Sequence, residues 1–377
     1  MSREKIRVLV VDDSAVIRQQ ICDFVEATDD MEVAATAKDG HHAIEAFATT
    51  QPDVVTLDVQ MPDMDGLAAL DAILAKRPVP VIMVSGLTQL GASVTFEALE
   101  RGAMDYIAKP ERGAEVESVL GDDLLRKIRS FAGADVNRIL QIRKERAKRT
   151  RRKPFGRPPA PKEQIVAAEA AMADLCIVIG ISTGGPPALA SLFETLRPSM
   201  PPIVVVQHMP PHFTRPLSWR LDALSQLSIK EAETGDVLQP NHVLIAPGGT
   251  HLELRRLGEQ TKVVLRNGPP VSGHKPSVDV MMTTAAAIYG PRLLGVIMTG
   301  MGHDGAEGCR TIRAAGGYVL GQDEASSDVY GMNKVAFVEG NVDRQFHLDD
   351  AGAVIRHQIR RLSRTASPSS PAPSGVR

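Results

Sequence analysis

Short apolar runs rich in β-branched residues recur along this chain. Nearly every one ends in a polar or glycine-rich turn that leads into a helical pattern. The first set is Ile6–Val11, Met31–Ala37, Asp53–Leu57, Pro80–Val84 and Ala103–Tyr106, with helical patterns through Val25, near His41–Ala48 and after Gly66. Five such repeats within residues 1–125 predict a doubly wound parallel sheet. A second set starts after Asp174: Cys176–Ile179, Ile203–Gln207, Leu293–Met298 and Gly317–Leu320. Runs without alternation suit strands buried on both faces, so a second parallel sheet is expected here. Helices are expected from Ala188, from Gly273–Asp279 to Ile288, over Ala306–Ala315 and from His347. Residues 229–272 alternate and turn often, which predicts β-hairpins added to that sheet.

The pattern lapses between Ser130 and Ala173, where Arg143–Lys153 is strongly basic and Pro154–Pro161 is proline-rich. This reads as a solvated, partly helical linker that stiffens into extended chain, with a DNA-contacting arm as the sharper alternative. The end of the chain, rich in Ser and Pro, reads as a disordered tail. The expected organisation is an α/β domain at 1–128, a linker at 129–173, a second α/β domain at 174–363 and a tail at 364–377.

Composition narrows the classes. A length of 377 residues suits two or three domains, and a hydrophobic fraction of 43% is ample for their cores. With 43 basic against 45 acidic residues, no global field points to nucleic acid or membrane. There is no signal-peptide pattern and no apolar run long enough to span a bilayer, so a cytoplasmic location without membrane insertion is expected. Three scattered cysteines exclude a disulfide framework or a zinc site.

The chemistry sits at strand ends. Ser182 lies in Gly180-Ile-Ser-Thr-Gly-Gly185, a tight strand-to-helix turn that exposes a hydroxyl, and the Thr183 amide at the new helix could stabilise an oxyanion. The same turn also reads as one that binds phosphate or nothing. His208 ends the second run of this half, and Asp304 follows the third on a glycine-rich turn. Strand ends carrying Ser, His and Asp are where open α/β sheets place their sites. The order Ser, His, Asp differs from the Ser, acid, His order of α/β-hydrolases and argues for another lineage. His212, His251, His274 and His303 lie near turns and compete as base; Cys309 reads as a packing residue. In the first half, Asp12, Asp13 and Asp58 converge as three carboxylates, a hard oxygen set suited to Mg²⁺. Lys109 and the Ser85 hydroxyl, at neighbouring strand ends, could hold an incoming phosphoryl group.

Residues 1–125 resemble a response-regulator receiver domain: Asp12-Asp13, Asp58 followed by Met61-Pro62 and Asp65-Gly66, Ser85, and Lys109-Pro110 all fit. The resemblance implies phosphorylation of Asp58 by a histidine kinase, Mg²⁺ on Asp12, Asp13 and Asp58, and switch positions at Ser85 and Tyr106. Residues 174–363 resemble the catalytic domain of chemotaxis protein-glutamate methylesterases, the CheB family. Ile179–Gly185, Gln207–Pro211 with Phe213-Thr214, His274–Asp279, Met298–Gly305 and Gln322–Ser327 match in order. That resemblance implies Ser182 as nucleophile, His208 as base, Asp304 as orienting acid and Met301 in the loop shaping the site. It further implies an esterase step without cofactor, and methyl-accepting chemoreceptors as substrate, with glutamine deamidation beside demethylation. Ile181 stands where alanine is usual, and Asn333 where proline is common. The fold class expected is a flavodoxin-like receiver plus a Rossmann-like parallel sheet. The alternative is a DNA-binding or scaffolding regulator whose hydrolase-like domain is inactive.

Overall fold

The computed structural model describes residues 5–86, 89–109, 114–150 and 172–366. Pro110, the proline-rich part of the expected linker and the tail beyond 366 lie outside the described residues. Contacts divide the chain into two compact units: the described residues of Met1–Lys153 with Met209–Leu217, and those of Pro154–His208 with Ser218–Arg377.

The first unit alternates β1 (Ile6–Val11), α1 (Ala15–Glu26), β2 (Met31–Ala37), α2 (Gly40–Thr50), β3 (Val54–Asp58), α3 (Gly66–Lys76), β4 (Val81–Ser85), α4 (Gln89–Arg101), β5 (Asp105–Ala108) and α5 (Ala114–Phe131). Its strands pair in parallel in the order β2-β1-β3-β4-β5. β3 and β4 are buried along their whole length, as apolar runs in a sheet covered on both faces must be. Ser14, Asp39 and Asp65 cap α1, α2 and α3 by accepting backbone amides. Gly66 opens α3 against the end of β3, where an added Cβ would lie 2.1 Å from the Asp58 carbonyl oxygen. Only glycine lets helix and strand end approach this closely.

A further helix, α6 (Val136–Thr150), fits the expected partly helical linker but corrects its solvation, because one face is buried. Val136 and Ile139 are buried, and the Arg143 guanidinium donates to the carbonyls of Leu99 (2.7 Å) and Ala103 (2.8 Å) at the end of α4. The basic composition hid this packing, because Arg143 is spent on orphan helix carbonyls rather than on water.

The chain then runs β6 (Cys176–Ile181), α7 (Gly185–Phe193), β7 (Ile203–Gln207), α8 (Thr214–Leu224, divided after Leu217 between the two units), β8 (Ser228–Glu231), β9 (His242–Ile245), β10 (His251–Leu257), β11 (Gln260–Arg266), α9 (Val278–Tyr289), β12 (Leu293–Ile297), α10 (Ala306–Ala314), β13 (Tyr318–Gln322), α11 (Met332–Val338), β14 (Arg344–Phe346) and α12 (Ala351–Ala366), the rest of these elements lying in the second unit. Seven strands make a parallel sheet in the order β14-β13-β12-β6-β7-β9-β8. Of the hairpins expected over 229–272, one forms: β10 and β11 pair antiparallel as a separate two-stranded sheet. β8 and β9 join the main sheet in parallel instead. β8 is an edge strand of mixed burial, so its sequence alternates whichever way it pairs. Helix α12 carries ordered structure to Ala366, past the expected start of the tail at 364.

Replacing Gly66 with alanine is expected to lower the stability of the first unit by about 1–3 kcal/mol, the range for forced overpacking. Thermal unfolding of the variant checks this; an unchanged midpoint would contradict the packing described.

Candidate active site

β6 lies between β7 and β12, with Ile181 beside Gln207 and Gly180 beside Ile297. The turns after these three strands therefore meet at one sheet edge, and they carry Ser182, His208 and Asp304. The Ser182 turn is closed by Gly185 N donating to Ser182 O (2.8 Å), and Ser182 N donates across to Thr299 O (3.0 Å). Gly184 has φ +76, and a Cβ on Gly185 would lie 1.8 Å from the Gln207 Oε1. That space lets the buried Gln207 amide donate to the carbonyls of Ser182 (2.9 Å) and His208 (3.0 Å), tying the turns after β6 and β7 together. Above the turn, Gly300 is equally constrained, since its Cβ would fall 2.7 Å from that of Ser182.

The His208 Nε2 lies 2.7 Å from the Asp304 Oδ2. A carboxylate there holds the proton on Nε2 and leaves Nδ1 as the basic nitrogen. Nδ1 has no hydrogen-bond partner among the described residues, so the bond to Ser182 is not made in this conformation. Catalytic hydrogen bonds of this kind commonly tighten only when substrate is bound. Asp304 has no exposed surface, yet accepts from Ser277 Oγ (2.8 Å), Val278 N (2.7 Å) and Asp279 N (3.0 Å). Burial alone would raise its carboxyl; the bond and charge of His208 with these amides outweigh that and hold it low. Asp304 is therefore held in its ionised form.

Thr183 is buried on the Ser182 turn, and Met301 is half-buried on the turn after β12. Thr299 joins the two turns by donating its hydroxyl to the Thr183 carbonyl (2.9 Å). Behind it, Gln322 accepts the Thr299 amide (2.9 Å), and Asn333 donates to the Gln322 carbonyl (2.8 Å) and Ser327 Oγ (2.8 Å). The unusual Asn333 thus braces the site from behind.

Of the competing bases, His274 stacks flat on His208, with ring centroids 3.8 Å apart and planes 7° from parallel. His251 is buried and orders its loop, bonding Pro269 O (2.9 Å) and accepting from Ser277 N (3.3 Å). His212 and His303 are exposed, and burial pushes the Cys309 thiol far up. Sequence reasoning missed Ser277, Asp279 and Thr299 as members of the site. The signal available was a Ser-Val-Asp helix start after a proline, whose polar groups turn inward.

The first unit carries a second cluster. Asp12 and Asp58 are buried, Asp13 is exposed, and ligand oxygens of all three lie within 4.8 Å of one another. The Lys109 ammonium reaches Asp12 (2.9 Å) and Asp58 (2.8 Å). Burial, with Asp12 nearby and Lys109 opposing, pushes Asp58 up to about 6; Asp12 is raised chiefly by burial too. Burial tends to lower Lys109, but its bonds to the two carboxylates raise it. Three oxygen donors with one ammonium leave excess negative charge that a hard divalent cation would neutralise, so the donor set fits such an ion. Ser85 and Tyr106 are both buried, at the end of β4 and on β5.

Residues 177–355 match the family model described as CheB methylesterase, and residues 8–120 that of the response regulator receiver domain. A relative from Pyrococcus abyssi, named protein-glutamate methylesterase/protein-glutamine glutaminase, is 42% identical over 91% of this chain and 90% of its own length. Relatives of the same name from Pectobacterium atrosepticum and Salmonella typhimurium are each 41% identical, over 94% and 95% of this chain and 97% of theirs. Among solved structures, the Thermotoga maritima CheB methylesterase catalytic domain is 38% identical, covering 49% of this chain and 98% of its own, with a TM-score of 0.48. The response regulator domain of Thermotoga maritima CheB is 45% identical over 35% of this chain and 99% of its own, at a TM-score of 0.33. Nothing in these comparisons favours the DNA-binding or scaffolding alternative.

Replacing Asp304 with asparagine is expected to lower kcat for ester hydrolysis by about 10³- to 10⁴-fold, by favouring the wrong imidazole tautomer. Steady-state kinetics on the folded variant checks this; a loss below tenfold would remove Asp304 from the catalytic set.

Proposed function

The chain belongs to the CheB methylesterase family, and we propose that Ser182, His208 and Asp304 carry its reaction. It is a protein-glutamate methylesterase/protein-glutamine glutaminase with a receiver domain. The observation that supports the residue assignment best is the 2.7 Å His208–Asp304 bond at the strand ends beside Ser182. His208 Nδ1 takes the Ser182 proton as the hydroxyl oxygen attacks the γ-ester carbonyl of a glutamate methyl ester. Asp304 stabilises the resulting imidazolium, and the turns carrying Thr183 and Met301 form the wall where the oxyanion develops. Protonation of the leaving oxygen by His208 releases methanol; water, activated by the same imidazole, then frees the glutamate and regenerates Ser182. Ammonia takes the place of methanol when glutamine is the substrate.

The receiver occupies 1–128 and the esterase 174–363 in this reading, with 129–173 linking them and 364–377 as a tail. Asp58 accepts a phosphoryl group from a histidine kinase; Lys109 and Ser85 hold its oxygens, and buried Tyr106 registers the change. Asp12, Asp13 and Asp58 would hold Mg²⁺, which would supply positive charge to offset that of the phosphoryl group. Methyl-accepting chemoreceptors are the substrate and the location is cytoplasmic. The unphosphorylated receiver restrains the esterase, and phosphorylation relieves this by a coupling of about 1–3 kcal/mol, or roughly 5- to 150-fold in activity.

Methanol release from methylated receptor fragments tests the proposal. Release should require Ser182, rise with phosphodonor and Mg²⁺, lose that rise on chelation, and rise without phosphodonor when residues 1–130 are deleted. Release indifferent to Ser182→Ala would refute the assignment, and deletion without effect would refute the restraint.

A further inference from the structure

We propose that Asp279 is a positioning residue for the esterase. It caps the helix that follows Asp304, while Asp304 caps the helix that contains Asp279, and the two caps together hold the Asp304 carboxylate against His208. This rests on the reading of Ser182, His208 and Asp304 as the catalytic set.

Helix α10 begins at Ala306, and Gly305 before it has φ +94 and no side chain with which to cap. No larger residue fits there, because a Cβ would lie 2.7 Å from Ile297 and 2.8 Å from Val278. The first amides of α10 therefore need an acceptor from elsewhere. Asp279 Oδ1 supplies it, accepting from Gly305 N (2.9 Å) and Gly308 N (2.8 Å). Its other oxygen accepts the Ser272 hydroxyl (3.1 Å).

The arrangement is returned at α9. The amides of Val278 and Asp279 and the Ser277 hydroxyl all point at Asp304, the residue just before Gly305. Each aspartate thus sits on the positive end of the other's helix, where a carboxylate is favoured. Besides His208, the Asp304 carboxylate is held by residues 277–279. Its aim at His208 Nε2 consequently follows the register between the starts of α9 and α10, and Asp279 sets that register. Asp279 is itself nearly buried, and burial with the neighbouring Asp304 charge raises its carboxyl against the pull of the Gly308 amide. A hydrogen-bond acceptor is what the position demands, more than a charge.

The test compares kcat and KM for methyl-ester hydrolysis in the full chain carrying Asp279→Ala, Asp279→Asn or Asp279→Glu. Misplacing a catalytic group by ~1 Å costs about 100-fold, so Asp279→Ala should lose about that in kcat with KM within about twofold. Asp279→Asn keeps an oxygen for both amides and should recover to within about fivefold of the parent. Asp279→Glu keeps the charge, yet its extra methylene carries the oxygens off the amides, and it should stay low. If Asp279→Ala does not fold, the asparagine and glutamate variants decide. An Asp279→Ala enzyme with parental kcat, or an active Asp279→Glu beside an inactive Asp279→Asn, would overturn the proposal.

A parallel assay on p-nitrophenyl acetate separates the two levels. Should the parent hydrolyse this ester through Ser182 but release no methanol, the substrate reading falls and the variants are judged on the small ester. Should Ser182→Ala leave both activities intact, the catalytic set and this proposal fall together.

Discussion

A carboxylate with no exposed surface is the constraint around which the second unit is arranged. Unpaired, a buried charge would cost several kcal/mol, and breaking such a pair typically costs about 3–5 kcal/mol. Asp304 is surrounded instead by one imidazole, one hydroxyl and two helix-start amides. Compensation on this scale requires β7, β12 and the start of α9 to converge on one point, and that convergence leaves Ser182 on the strand between. Stability and reactivity thus share the same hydrogen bonds.

Glycines make the convergence sterically possible. At Gly180 an added Cβ would fall 2.3 Å from Val278, which keeps β6 and α9 in contact beneath the site. Gly185 admits the Gln207 amide, and Gly300 lets the acid-bearing turn pass over Ser182. The first unit solves a related problem in a different way. There the buried Asp12 and Asp58 are compensated only in part by Lys109, and the remaining negative charge suits a hard divalent cation. One unit closes its charge balance within its own hydrogen bonds, whereas the other leaves it open.

Much of this was legible in the chain because parallel strands announce themselves as apolar runs, and their ends as the polar residues that stop them. Ser182, His208, Asp12, Asp58, Ser85 and Lys109 are such strand-end residues, and Asp304 lies on the glycine-rich turn after β12. What stayed hidden depends on contacts between distant segments. β8 alternates like a hairpin strand, yet pairs in parallel at the sheet edge. Arg143 belongs to a basic run but is buried on α4 carbonyls. Asp279 reads as an ordinary acidic residue of a first helical turn, and its role emerges only once α10 is seen to begin with an uncapped glycine. His274 lies near a turn like a competing base, yet its ring lies flat on that of His208.

If the His208–Asp304 pair makes Ser182 a nucleophile, exposing the full chain to a fluorophosphonate, followed by mass spectrometry of the digested protein, should detect it directly. A single adduct is expected on the peptide bearing Ser182, lost when His208 is replaced by alanine. An adduct that forms equally without His208, or one that settles on another residue, would contradict it.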